Sequence, residues 1–92
     1  MTIEQRVREF VLENFYVSDP ALISNDTLLV TKGFIDSTGL LEVIAFIEEQ
    51  FGIVVADEET TPENLESIGR IAAFVNRKLR GPPGAGGAHA AA

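Results

Sequence analysis

The chain has 92 residues, enough for one small domain, with 46% hydrophobic residues and a net charge of −7 from 14 acids against seven Lys and Arg. That balance excludes a disordered acidic tail, and it argues against nucleic-acid binding, which needs clustered cations at the phosphates. There is no Cys and no apolar run near the ~18 residues of a membrane span, which excludes disulfides, thiol chemistry, Cys-based metal sites and a spanning helix.

The first residues, Met1-Thr2-Ile3-Glu4-Gln5-Arg6, lack the basic-then-apolar form of a signal peptide, so a soluble cytoplasmic monomer is expected. A helix is predicted over Ile3 to Phe15, with Thr2 as its cap and Gln5 completing a capping box. Ile3, Val7, Phe10, Val11 and Phe15 recur at helical spacing. Residues 17–36 carry no sustained period; Ser18-Asp19-Pro20 and Ser24-Asn25-Asp26 are turn chemistry, while Leu22, Ile23, Leu28, Leu29, Val30, Phe34 and Ile35 are interspersed. A connection this long in a small domain must pack down on the helices as a strap. A short strand at Thr27–Thr31 is the competing reading.

The second helix is the clearest element. Ser37 stands at the N-cap position after Asp36, Thr38 to Phe51 follow, and Gly52 ends the helix. Leu40, Val43, Ile44, Ile47 and Phe51 form one apolar face; Glu42, Ala45, Phe46 and Glu49 lie opposite, with Leu41 and Glu48 on the flank. A short helical turn is predicted at Pro62–Leu65, with Thr61 as cap and Pro62 at the first helical position. A last helix runs from Ile68 to Leu79, capped by Ser67, with Ile68, Ile71, Ala72, Val75 and Leu79 inward, and Arg77, Lys78 and Arg80 at its C-terminal end. The predicted architecture is an all-α bundle over residues 1–80, with three main helices, a short third one and a long first loop. Residues 81–92, only Gly, Pro, Ala and His89, read as a flexible tail.

Between Gly33 and Gly69 there are nine acids and no Lys or Arg. Such a one-signed surface either keeps the domain soluble or steers basic partners to it, and its placement around Ser37 favours steering. An isolated Ser at a helix start is ordinarily a cap. The absence of a positioned base argues against a catalytic role, since the one His is in the tail. Asp57-Glu58-Glu59 lacks the spacing and Gly of a calcium loop. A helix N-terminus nevertheless suits a phosphodiester, because its N–H groups and positive dipole end favour an anion.

Gly33-Phe34-Ile35-Asp36-Ser37-Thr38-Gly39-Leu40-Leu41-Glu42, followed by Phe46-Ile47-Glu48-Glu49-Gln50-Phe51-Gly52-Ile53, resembles the second-helix region of acyl carrier proteins. The hallmark of that family is Asp-Ser-Leu, its serine carrying 4′-phosphopantetheine. The resemblance extends over residues 3–80 in the order of elements. Two positions depart from it: Thr38 stands where Leu or another large apolar residue is usual, and Gly39 where a larger side chain follows. These departures suggest a specialised carrier in fatty-acid, polyketide or nonribosomal-peptide biosynthesis.

The resemblance implies a non-enzymatic carrier. A phosphopantetheinyl transferase, recognising Asp36, would load Ser37 from coenzyme A, and the arm's thiol would hold an acyl or aminoacyl thioester. Leu41, Glu42, Ala45, Phe46, Glu48 and Glu49 would form the docking face for the transferase, a loading ligase and downstream synthase enzymes. The competing reading for Phe46 is packing under the long loop or against the third helix. Ile44, Ile47, Phe51, Ile71 and Val75 would line any space for the acyl chain, ordinary core packing being the simpler account. The alternative to a carrier is an acidic helical interaction module in which Ser37 only caps the helix.

Overall fold

A computed structural model describes residues 2–80; the predicted tail, residues 81–92 with His89, lies outside the described residues. The elements are α1 (Ile3–Asn14), a 3₁₀ turn at Pro20–Leu22, α2 (Ser37–Phe51), a second 3₁₀ turn at Asp57–Glu59, α3 (Pro62–Leu65) and α4 (Ile68–Arg80), with no strand among the described residues. The expected all-α bundle is the observed architecture.

Local chemistry sets the helix ends. The Thr2 hydroxyl accepts the Gln5 N–H at 3.1 Å while the Gln5 side chain accepts the Thr2 N–H at 2.8 Å, the reciprocal box expected from the sequence. Gly52 closes α2 in the left-handed region, at φ +67°, where other residues are strained. Pro62 takes the first position of α3, and the Ser67 hydroxyl accepts the Arg70 N–H at 3.1 Å at the start of α4.

Helix α4 is the hub, packing against α1, α2 and α3. Val7 and Val11 of α1, Val43 and Ile47 of α2, Leu65 of α3 and Ile68, Ile71 and Val75 of α4 are buried together. The α4 face is displaced from the predicted one at two places. Leu79 is half exposed, because its last turn reaches past the cover of the bundle. Phe74, not expected inside, is buried in the core cluster, and α3 and the second 3₁₀ turn are attached to α4. Their hold on α4 is direct: Arg77 donates to Asn64 Oδ1 at 2.7 Å, and Lys78 pairs with Glu59 at 2.9 Å.

The first connection is a strap, and the competing strand at Thr27–Thr31 does not form. The Leu28 carbonyl is taken locally by the Lys32 N–H at 2.9 Å, and the chain turns at Gly33, φ +82°. Ile23, Leu29 and Ile35 insert into the core at six-residue intervals. Arg8 of α1 donates to the Ile23 carbonyl and, at 2.6 Å, to Asn25 Oδ1. The Asn25 carbonyl in turn accepts the Gly69 N–H at 2.8 Å at the first turn of α4. The strap thereby satisfies backbone groups that burial would otherwise leave unpaired.

Candidate functional site

The start of α2 differs from the predicted arrangement by one residue. Asp36, not Ser37, is the N-cap: its Oδ1 accepts the Gly39 N–H at 2.7 Å. Ser37 occupies the first helical position and is exposed. Among the described residues no hydrogen bond involves its hydroxyl. Both residue types cap helices well, and the backbone settles the choice: Asp36 is extended, at φ −95° and ψ −176°, as a cap must be.

Gly39 is buried against the ring of Phe15, which ends α1. A Cβ at this position would meet Phe15 Cε1 at 2.5 Å and Ile35 Cγ2 at 3.0 Å. The glycine that departs from the family pattern is thus the place where the first turn of α2 is pressed onto α1. Burial of Ile35 fixes the residue just before the cap.

From Ser37 an exposed row runs along α2 at four-residue intervals: Ser37, Leu41, Ala45 and Glu49, with Glu42 beside it. Leu41 is 64% exposed, a large apolar side chain left in water between acids. Glu48 has a second occupation: its Oε2 accepts the Val55 N–H at 2.8 Å and so folds the segment after α2 back on the helix.

Phe46 is half-buried and stacks on Phe10 of α1, with ring centroids 4.2 Å apart and 19° between planes. Its packing partner is therefore α1 rather than the loop or α3. The signal was present in the sequence, since Phe46 lies three residues from the buried Val43 and so on the same side of the helix. The two rings help line an open groove of about 310 Å³ between α1 and α2, together with Arg6, Glu9, Glu13 and Gln50. Of the residues named for an acyl space, Ile47, Ile71 and Val75 are fully buried, and Ile44 and Phe51 pack half-buried against them.

Glu59 has a displaced titration. The Ala56 N–H and the Lys78 ammonium hold its carboxyl below the usual range. This charge staples the second 3₁₀ turn to α4, away from α2. Sequence reasoning missed Glu66, which is buried behind the loop that leads to Ser37. Its only signal was position: an acid inside the run Leu65-Glu66-Ser67-Ile68. No cluster of three or more His, Cys, Asp or Glu suitable for a metal occurs among the described residues.

An exposed serine at the positive end of a 15-residue helix, with acids and apolar side chains in a row below it, can carry a phosphodiester and present it to a partner. No protein-family model matches the chain. It is 33% identical over 66 residues to the acyl carrier protein of Buchnera aphidicola subsp. Baizongia pistaciae (strain Bp), covering 72% of this chain and 81% of that protein. It is 33% identical over 54 residues to the D-alanyl carrier protein of Abiotrophia defectiva, covering 59% of this chain and 68% of that one. With the acyl carrier protein of Solidesulfovibrio magneticus (strain ATCC 700980 / DSM 13731 / RS-1) it shares 27% identity over 78 residues, 85% of this chain and 96% of the relative. With the helical order, the exposed Ser37 and these relatives in agreement, the chain belongs to the acyl carrier protein family.

Proposed function

We propose that Ser37 is the covalent anchor for 4′-phosphopantetheine and that the protein acts in the cytoplasm as a non-enzymatic monomeric shuttle. The observation that carries this is the division of labour at the start of α2. Asp36 caps the helix through Gly39, so capping does not account for Ser37, and the serine's hydroxyl is exposed and unengaged. A phosphopantetheinyl transferase transfers the group from coenzyme A, a bond forming between Ser37 Oγ and phosphorus as the adenosine bisphosphate leaves. The group's terminal thiol supplies the thioester linkage to an acyl or aminoacyl cargo. The chain's own residues hold the phosphodiester at the helix N-terminus and offer a docking face. The similar proteins named for acyl and for D-alanyl cargo support a proposal that covers both classes. The Thr38-Gly39 departure supports a specialised fatty-acid, polyketide or nonribosomal-peptide pathway with its own loading ligase and synthase enzymes.

Docking falls to Leu41, Glu42, Ala45 and Glu49, with Glu48 and the exposed edge of Phe46 contributing from positions they also hold for packing. A carrier must leave each enzyme quickly, and surface charge with a few apolar contacts gives fast, weak association. Asp36, exposed beside Ser37, serves both as the cap and as a recognition group for the transferase.

The test is intact mass after incubation with coenzyme A, Mg²⁺ and a broad-specificity transferase. The expected result is a gain of about 340 Da that is lost in Ser37→Ala. No gain with several transferases refutes the anchor and leaves an acidic interaction module.

A further inference from the structure

Glu66, at the junction of α3 and α4, is 8% exposed and carries a carboxylate into the interior. A buried carboxylate is costly unless its oxygens are taken up by donors. Here both are. Oε2 accepts the Val30 N–H at 2.8 Å and Oε1 accepts the Thr31 hydroxyl at 2.7 Å. The Glu66 carbonyl accepts the Leu29 N–H at 2.8 Å. One residue thus holds three consecutive residues of a strap that lies some 35 positions away in sequence.

The hold continues toward Ser37. The Leu29 carbonyl accepts the N–H of Phe34 at 2.8 Å and of Ile35 at 3.2 Å. Ile35 is buried and is joined directly to Asp36, the cap of α2. Between these anchors Val30, Thr31, Lys32 and Gly33 are all exposed. The surface part of this segment therefore depends on the buried carboxylate rather than on its own packing.

Resting on the assignment of Ser37 as the anchor, we propose that Glu66 is a positioning residue for the modification of Ser37. Its carboxylate fixes Leu29–Thr31, Leu29 fixes Phe34 and Ile35, and these set the place from which Asp36 and Ser37 meet the transferase. The Ser37 hydroxyl has no hydrogen bond among the described residues, so its setting is that of the first turn of α2 and of the segment that leads into it. Misplacing a reacting atom by about 1 Å can cost up to about 100-fold in rate.

The experiment measures transfer from coenzyme A by intact mass, as kcat/KM for the carrier, alongside hydrogen exchange resolved over residues 29–35. Glu66→Ala should keep the core amides of α2 and α4 protected, lose protection at Leu29–Ile35, and lower kcat/KM by about 10- to 100-fold. Glu66→Gln, which retains an acceptor for the Val30 N–H, should recover most of the rate. Thr31→Val removes one donor at an exposed residue and should lower kcat/KM by a few-fold even if Glu66→Ala does not fold. A control, Val7→Ala in the buried face of α1, should lower stability without slowing transfer. Unchanged kcat/KM in Thr31→Val and in the folded Glu66 variants overturns the positioning role, as does equal slowing by Val7→Ala. A wild-type chain that takes up no phosphopantetheine overturns the anchor itself, and is told apart from failure of the Glu66 role by that result alone.

Discussion

Replacing Gly39 by Ala tests whether the close contact between α1 and the first turn of α2 is a requirement. By helix propensity alone the change should stabilise, by up to about 1 kcal/mol. Sterics oppose it. The new Cβ would lie 2.5 Å from Phe15 Cε1, 3.2 Å from Phe15 Cζ and 3.0 Å from Ile35 Cγ2. A ring end can swing away only into free space, and Phe15 is held edge-on by Phe10, with centroids 6.0 Å apart. Ile35 is buried and tied to Leu29, so it cannot yield instead. Overpacking of this kind costs about 1–3 kcal/mol. Steric cost exceeds the propensity gain, and Gly39→Ala should lose about 1–2 kcal/mol net. At about 4–8 °C per kcal/mol for a domain of this size, the melting temperature should drop measurably. Urea unfolding followed by circular dichroism reads the loss directly, and shortening the neighbour in Gly39→Ala/Phe15→Leu should restore part of it. A Gly39→Ala protein as stable as the wild type, or more so, refutes the argument. So does a double variant in which the two losses simply add, because residues in contact must couple.

Reversing both Glu42 and Glu49 to Lys should leave stability nearly unchanged, since both are exposed and their carboxylates form no hydrogen bond among the described residues. Loading by a partner enzyme should become weaker and less sensitive to salt, and unchanged loading at low salt would remove the acidic face from the docking surface. Glu59→Gln should cost about 0.2–1 kcal/mol at neutral pH. Because the folded protein holds the Glu59 carboxyl below its usual range, this contribution is complete above that range and is lost as the pH falls through it. The urea midpoints of wild type and Glu59→Gln should therefore converge once the pH falls below the lowered range in which folded Glu59 titrates, and a constant gap would show that the charge does not stabilise the turn.

Helix positions were legible wherever the deciding interactions span three or four residues. The Thr2–Gln5 box, Gly52 at the left-handed end of α2, Pro62 opening α3 and Ser67 capping α4 are local bargains between a side chain and nearby backbone. The row Ser37, Leu41, Ala45, Glu49 follows from helical period alone. The exchange of roles between Asp36 and Ser37 was not legible, since either residue caps well and the strap, anchored through Ile35, sets which of them is extended.

Tertiary structure decided the rest because its partners are far apart in sequence. Phe46 is sheltered by Phe10 on another helix, Phe74 lies in the core cluster to which all the main helices contribute, and Gly39 is covered by the ring that ends α1. Glu66 reads in the sequence as one more surface acid among nine. Only folding brings the strap's donors to it and converts a group that water would solvate into one that the chain must satisfy from within. Local order was thus written in short-range hydrogen bonding, whereas the setting of Ser37 arose from contacts that exist only once the strap has closed over the helices.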